Sequence, residues 1–122
     1  MINILIADDS ETFRSTLLAD LKGEGYQVDE ARDGLEAIEK ISSGKVYSLI
    51  ILDVNMPGAS GIEVLEQTKN KNLLDKSLVF MLTTDASIEL KTKGKALGVR
   101  AWITKPYKKE ILTQAIKKVF SL

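Results

Sequence analysis

The stretch Ser48-Leu49-Ile50-Ile51-Leu52-Asp53-Val54-Asn55-Met56-Pro57-Gly58 decides how this 122-residue chain is read. Four consecutive apolar residues followed by a turn containing Pro and Gly predict a strand buried on both faces. Such strands lie at the centre of parallel sheets with helices on either side. Asp53 closes the strand. A carboxylate there cannot run on into the core unpaired, because burying a lone charge is prohibitive. Asp53 is therefore expected at the C-terminal edge of the sheet, where open parallel sheets bind their ligands.

Working outward, the apolar pattern switches repeatedly between strand and helix periods. Before the central strand come a strand Ile2 to Ala7 ending in Asp8-Asp9, and a helix opened by Ser10-Glu11-Thr12 with Phe13, Leu17, Leu18 and Leu21 at helical spacing. A polar edge strand Tyr26 to Ala31 follows, then a helix after Asp33-Gly34 with Leu35, Ile38 and Ile41 on one face. Beyond the central strand, a helix runs from Gly61 to about Asn70, and a buried strand Leu78 to Leu82 ends in Thr83-Thr84-Asp85. A fourth helix is expected from about Ala86 to Leu97, then the short strand Ala101-Trp102-Ile103, Lys105-Pro106, and a fifth helix with Ile111, Leu112, Ala115, Ile116, Val119 and Phe120 as its stripe. Five strands alternating with five helices predict an α/β fold, a doubly wound five-stranded parallel sheet with helices on both faces. The length suits one domain over residues 1–122, with no linker or repeat and no output domain expected.

Composition narrows the chemistry. The 44% hydrophobic and 28% charged fractions are ordinary for a soluble domain. No apolar run approaches a membrane span, and no secretory leader is recognisable, so a cytoplasmic setting is expected. The chain has no cysteine, which excludes disulfides, iron–sulfur clusters and thiolate zinc sites. It has no histidine either, which removes the commonest general base. The zero net charge hides an asymmetry: residues 1–61 hold 5 Lys+Arg against 11 Asp+Glu, and residues 62–122 hold 12 against 6. Such a split suggests that the halves face different partners.

In a parallel sheet all strand C-termini share one edge, so Asp8, Asp9, Asp53, Thr83 and Lys105 are expected to converge. Each has a duller reading alone: an acid after a strand often caps a helix, and Lys-Pro is often a surface turn. Together they carry more weight. Two carboxylates about 4 Å apart repel by roughly 4 kcal/mol at an effective dielectric near 20, so the cluster demands a cation. Oxygen donors without His or Cys point to a hard ion, and a few carboxylates suit Mg2+. With the Lys105 ammonium and the Thr83 hydroxyl, the set meets the needs of phosphoryl transfer onto an aspartate.

Asp8-Asp9, Asp53-Val54-Asn55-Met56-Pro57-Gly58, Thr83 and Lys105-Pro106, in this order and on these elements, resemble the receiver domain of bacterial two-component response regulators, particularly the stand-alone chemotaxis type. The resemblance covers the whole chain. It implies a flavodoxin-like sheet of order 2-1-3-4-5 and a phosphoryl group passing from a phosphohistidine on a partner histidine kinase to Asp53. It also implies Mg2+ held by Asp9, Asp53 and the backbone carbonyl of Asn55, with Asp8 acting through water. Lys105 and Thr83 would bind the phosphoryl oxygens, and the Lys105-Pro106 bond would be cis.

The resemblance further implies a switch in which Thr83 moves toward the phosphoryl group and an aromatic on the fifth strand swings inward. That position is Trp102 here, larger than the usual Tyr or Phe, so only a partial movement is expected. Asn55 and Asp85 would tune dephosphorylation. Residues 86–122 carry 9 Lys+Arg against Glu89 and Glu110, so the face of the fourth helix, fifth strand and fifth helix is expected to take an acidic segment of a downstream protein. Gly94 inside the fourth helix fits either a mobile helix or a close backbone contact. An aspartate-nucleophile phosphatase is the main enzymatic alternative, but Asp8-Asp9-Ser10 lacks the Asp-x-Asp-x-Thr spacing of that class. No helix-turn-helix segment supports direct binding of nucleic acid.

Overall fold

A computed structural model describes residues 2–122; Met1, the first residue of the expected domain, lies outside them. The strands are β1 (Asn3–Ala7), β2 (Gln27–Ala31), β3 (Leu49–Leu52), β4 (Leu78–Thr83) and β5 (Val99–Thr104). The helices are α1 (Glu11–Gly23), α2 (Gly34–Ser42), α3 (Gly61–Asn70), α4 (Ile88–Ala96) and α5 (Lys109–Phe120). All four strand pairings are parallel, and the order is β2-β1-β3-β4-β5.

Side-chain alternation along the strands splits the core into two layers. Ile4, Ile6, Leu49, Ile51, Phe80 and Leu82 face Leu17 and Leu21 of α1 and Leu112 and Ile116 of α5. Leu5, Ile50, Leu52, Val79 and Met81 face Ala37 and Ile41 of α2 and Ile62 and Leu65 of α3, with Leu90 of α4 packed alongside. Each fully buried Leu or Ile contributes about 1.5–3 kcal/mol, so β3, buried at all four positions, anchors both layers.

Helix starts follow their caps. Ser10, Asp33, Ser60 and Ser87 each accept a backbone N–H of the first turn, and Ser60 with Glu63 completes a reciprocal capping box. The Ser87 cap starts α4 at Ile88, two residues later than the pattern predicts. β5 is longer than expected, because its register skips Arg100 between Val99 and Ala101 and breaks the apolar alternation.

Two apolar positions leave their predicted stripes. Leu35 is 60% exposed and Ile111 is 55% exposed. The buried face of α2 runs through Gly34, Ala37 and Ile41, and Leu35 lies about 100° around the helix from Gly34. In α5 the buried face is Leu112, Thr113 and Ile116, which turns Ile111 outward.

Candidate functional site

The expected convergence is present at the C-terminal edge. Backbone bonds from Asp53 N to Ala7 O (3.0 Å) and from Lys105 N to Thr83 O (2.9 Å) carry the sheet ladder one step past the strands, which sets these residues side by side. Gly61 fits the loop between them closely: its N–H donates to Val54 O at 2.8 Å, and a Cβ there would lie 2.2 Å from Asp53 O. No larger residue could start α3 so near Asp53.

Lys105 Nζ donates to Asp8 Oδ2 at 2.6 Å and to Asp53 Oδ2 at 2.9 Å. Asp8, Asp9 and Asp53 each offer a carboxylate oxygen within 4.8 Å of the others, Asp8 and Asp53 buried and Asp9 exposed. Three carboxylates against one ammonium leave an excess of negative charge. Burial raises the Asp8 pKa above its ordinary value, more than the bonds from Lys105 and the Ser10 N–H lower it. Burial alone would lower the Lys105 pKa, but its bonds to Asp8 and Asp53 outweigh burial and raise it. The amine therefore stays charged.

Every polar atom of Asp8 is engaged. Its N–H donates to Ala31 O, its carbonyl accepts from Arg14 Nη1 at 2.7 Å, Oδ1 accepts from Ser10 N at 2.9 Å, and Oδ2 accepts from Lys105. Arg14 is fixed in turn by Glu30 of β2, at 3.0 Å from Nε to Oε1. Asp53 is held more loosely, with Oδ1 accepting from Asn55 N at 3.3 Å. Asp9 makes no side-chain hydrogen bond among the described residues and is free to ligate.

The other expected residues lie around this centre. Thr83 is fully buried, and its Oγ1 accepts from Asp85 N at 3.2 Å, which leaves the hydroxyl proton free. Asp85 occupies the loop into α4, where its Oδ1 accepts from Ser87 N at 3.2 Å. Trp102 stands on β5, half-buried against α4, and does not reach the carboxylates: its Nε1 donates to Asp85 O at 2.9 Å. The Lys105-Pro106 bond is cis. Gly94 is a close contact, since a Cβ there would lie 2.8 Å from Trp102 Cζ3.

Sequence reasoning missed Phe13, Arg14 and Tyr107. Phe13 fits the apolar spacing of α1 and so reads as core, yet its ring lies 4.0 Å below Lys105 Nζ. Arg14 and Tyr107 carry no local signal, because their partners Asp8 O and Asp20 are set by packing.

A doubly wound parallel sheet with three carboxylates, a buried hydroxyl and an ammonium at one edge is the arrangement of a receiver-type signalling domain. The family model of the response regulator receiver domain matches residues 4–117, and the chain belongs to that family. Among curated proteins, it is 31% identical over 120 residues to the chemotaxis protein CheY of Pseudomonas aeruginosa, covering 98% of this chain and 96% of that protein. It is 36% identical over 115 residues to the uncharacterized transcriptional regulatory protein YkoG of Bacillus subtilis, covering 94% of this chain and 49% of YkoG. The chain thus spans about half the length of YkoG. The solved structure of the Vibrio cholerae chemotaxis protein CheY4 matches with a TM-score of 0.89 at 35% identity, over 98% of both chains. The response regulator TrrA of Thermotoga maritima, solved in complex with Mg2+-BeF, matches with a TM-score of 0.85 at 33% identity, over 98% of this chain and 99% of TrrA. Among the described residues no helix is long and apolar enough to cross a membrane.

Proposed function

We propose that the chain is a phospho-accepting response regulator: Asp53 takes a phosphoryl group from a phosphohistidine on a partner histidine kinase, and the face of α4, β5 and α5 passes the signal on. One observation carries this reading, the Lys105 ammonium bridging Asp8 and Asp53 beside the exposed Asp9. The 31% identity to the Pseudomonas aeruginosa CheY over 120 residues supports a chemotaxis-type role in the cytoplasm.

The donor set fits Mg2+, being made of oxygens alone in a chain without His or Cys. Asp9, Asp53 and the Asn55 backbone carbonyl would hold it, with Asp8 acting through water. Asp8 is suited to that outer role because its two carboxylate oxygens are held in shorter bonds, at 2.9 and 2.6 Å, than those of Asp53, at 3.3 and 2.9 Å. When bound, the ion neutralises charge on the transferring phosphoryl oxygens.

The chemistry then divides among the chain's own groups. An Asp53 carboxylate oxygen attacks phosphorus, an O–P bond forms, the P–N bond of the donor breaks, and the electron pair stays on the departing imidazole. Lys105 offers its ammonium to one phosphoryl oxygen, and Thr83 donates its free hydroxyl proton to another. The chain in this way catalyses its own phosphorylation, and hydrolysis at Asp53, tuned by Asn55 and Asp85, resets it.

Incubation with acetyl phosphate and Mg2+, read by intact mass, tests the reading. One phosphoryl adduct on the parent chain and none on Asp53→Asn is the expected result. No adduct and no response to Mg2+ overturns it. For the output face, Lys91, Lys95 and Arg100 border Trp102 in one shallow pocket, which supports an acidic docking segment on the downstream protein. Binding there should weaken as salt rises, and salt-independent binding would contradict it.

A further inference from the structure

Lys105 is held from a third side. Its Nζ spends two donors on Asp8 and Asp53 and stands 4.0 Å from the centroid of the Phe13 ring. That is well inside the distance at which a ring face attracts an ammonium, and the attraction grows when water is excluded. Lys105 is only 15% exposed.

The ring is itself fixed. Ser10 Oγ accepts the Phe13 N–H at 3.2 Å, which sets the first turn of α1. Tyr107 meets Phe13 edge-on, with centroids 5.7 Å apart and planes at 84°. The Tyr107 hydroxyl donates to Asp20 Oδ2 at 2.7 Å, seven residues along the same face of α1. Leu17 and Leu21 continue this spacing into the core, whereas Phe13 is only partly buried and presents its face to a charge.

We infer that Phe13 is a positioning residue for Lys105, its ring face keeping the ammonium over Asp8 and Asp53 so that Asp53 accepts a phosphoryl group at full rate. The inference rests on the phospho-acceptor reading above. A lysine stem is long and flexible. When one carboxylate turns to phosphorus the amine loses part of its anchor, and the ring keeps it from straying.

Full-length protein is compared with Phe13→Leu, Phe13→Tyr and a form carrying pentafluorophenylalanine at position 13, which keeps the shape but reverses the charge of the ring face. Initial rates of adduct formation from acetyl phosphate at saturating Mg2+ are read together with melting temperatures. Leu and the fluorinated ring should each slow acceptance about three- to tenfold at matched folding, and Tyr should restore it. Parent-like rates for Leu and the fluorinated ring, or a Tyr form as slow as Leu, overturn the inference while leaving the phospho-acceptor reading intact. A parent chain that takes no phosphoryl group defeats that reading instead. The ring hold is then decided by NMR: ring current should move the Lys105 ε-methylene protons upfield, and Phe13→Leu should return them. Ordinary shifts in the parent chain overturn the inference whatever the phosphorylation result.

Discussion

The indole N–H of Trp102 donates to the backbone carbonyl of Asp85 at 2.9 Å. The N–H of the same Asp85 donates to Thr83 Oγ1 at 3.2 Å. Two hydrogen bonds thus connect the only tryptophan on the α4 side with the hydroxyl at the site. A Tyr or Phe at position 102 has no donor where the indole has one, so this tie follows from the Trp itself.

The tie should restrain the indole without locking it. Adding Mg2+ and beryllium fluoride, a tetrahedral stand-in for a phosphoryl group, should change Trp102 emission modestly, and in Trp102→Phe the loop into α4 should loosen at a cost of about 1 kcal/mol in urea unfolding. Emission that stays fixed while the adduct forms would mean that Trp102 does not move.

Gly94 gives an unusual sign. Gly to Ala inside a helix normally stabilises by about 1 kcal/mol, but here the new methyl would lie 2.8 Å from Trp102 Cζ3 and 3.4 Å from Val99 Cγ2. Gly94→Ala should therefore destabilise the parent chain, yet stabilise it when combined with Trp102→Phe. A gain in the parent background would show that the indole yields freely. The double-mutant cycle measures the coupling.

Removing charge at the site should help the metal-free protein. Asp9 is exposed and adds a third like charge to Asp8 and Asp53, so Asp9→Asn should stabilise by about 1 kcal/mol in EDTA. In Mg2+ the order should reverse, because only the parent chain gains fully from binding. Melting curves in the two buffers check both halves, and a variant weaker than the parent in EDTA contradicts the account.

Acid sensitivity should arise partly far from the site. Asp29 of β2 accepts from Lys45 Nζ at 2.8 Å and from the Tyr47 hydroxyl at 2.7 Å. The bond from Lys45, followed by that from Tyr47, lowers its pKa below the ordinary 3.8. A depressed folded value contributes stability that is present above the unfolded value and is lost as pH falls through the folded one. Its side chain is 34% exposed, so solvent screening keeps the contribution under about 1 kcal/mol. The urea midpoint of Asp29→Asn should fall below that of the parent at neutral pH and converge with it as pH drops below the ordinary carboxylate value of 3.8. A gap constant across that range would assign the effect to lost packing.

The central strand, the order of elements and the carboxylate cluster were legible because each depends on a short-range rule. An apolar run of four predicts a strand buried on both faces, and parallel strands bring Asp8, Asp53, Thr83 and Lys105 to one edge whatever lies between them. Leu35 and Ile111 were misplaced because a helical stripe predicts which residues share a face, not how far that face extends around the helix. The start of β5 was hidden by the unpaired Arg100.

Which side chains meet at the sheet edge follows from the amino-acid order alone, since strand polarity and chain order fix that once the fold is parallel. How each is held emerges only in the folded molecule: the Phe13 ring under Lys105, Arg14 on the Asp8 carbonyl, Gly94 against the Trp102 indole. Those contacts depend on the approach of α1 and α4 to the sheet to within an ångström. That distance is set by the packing of whole layers, which no local pattern encodes.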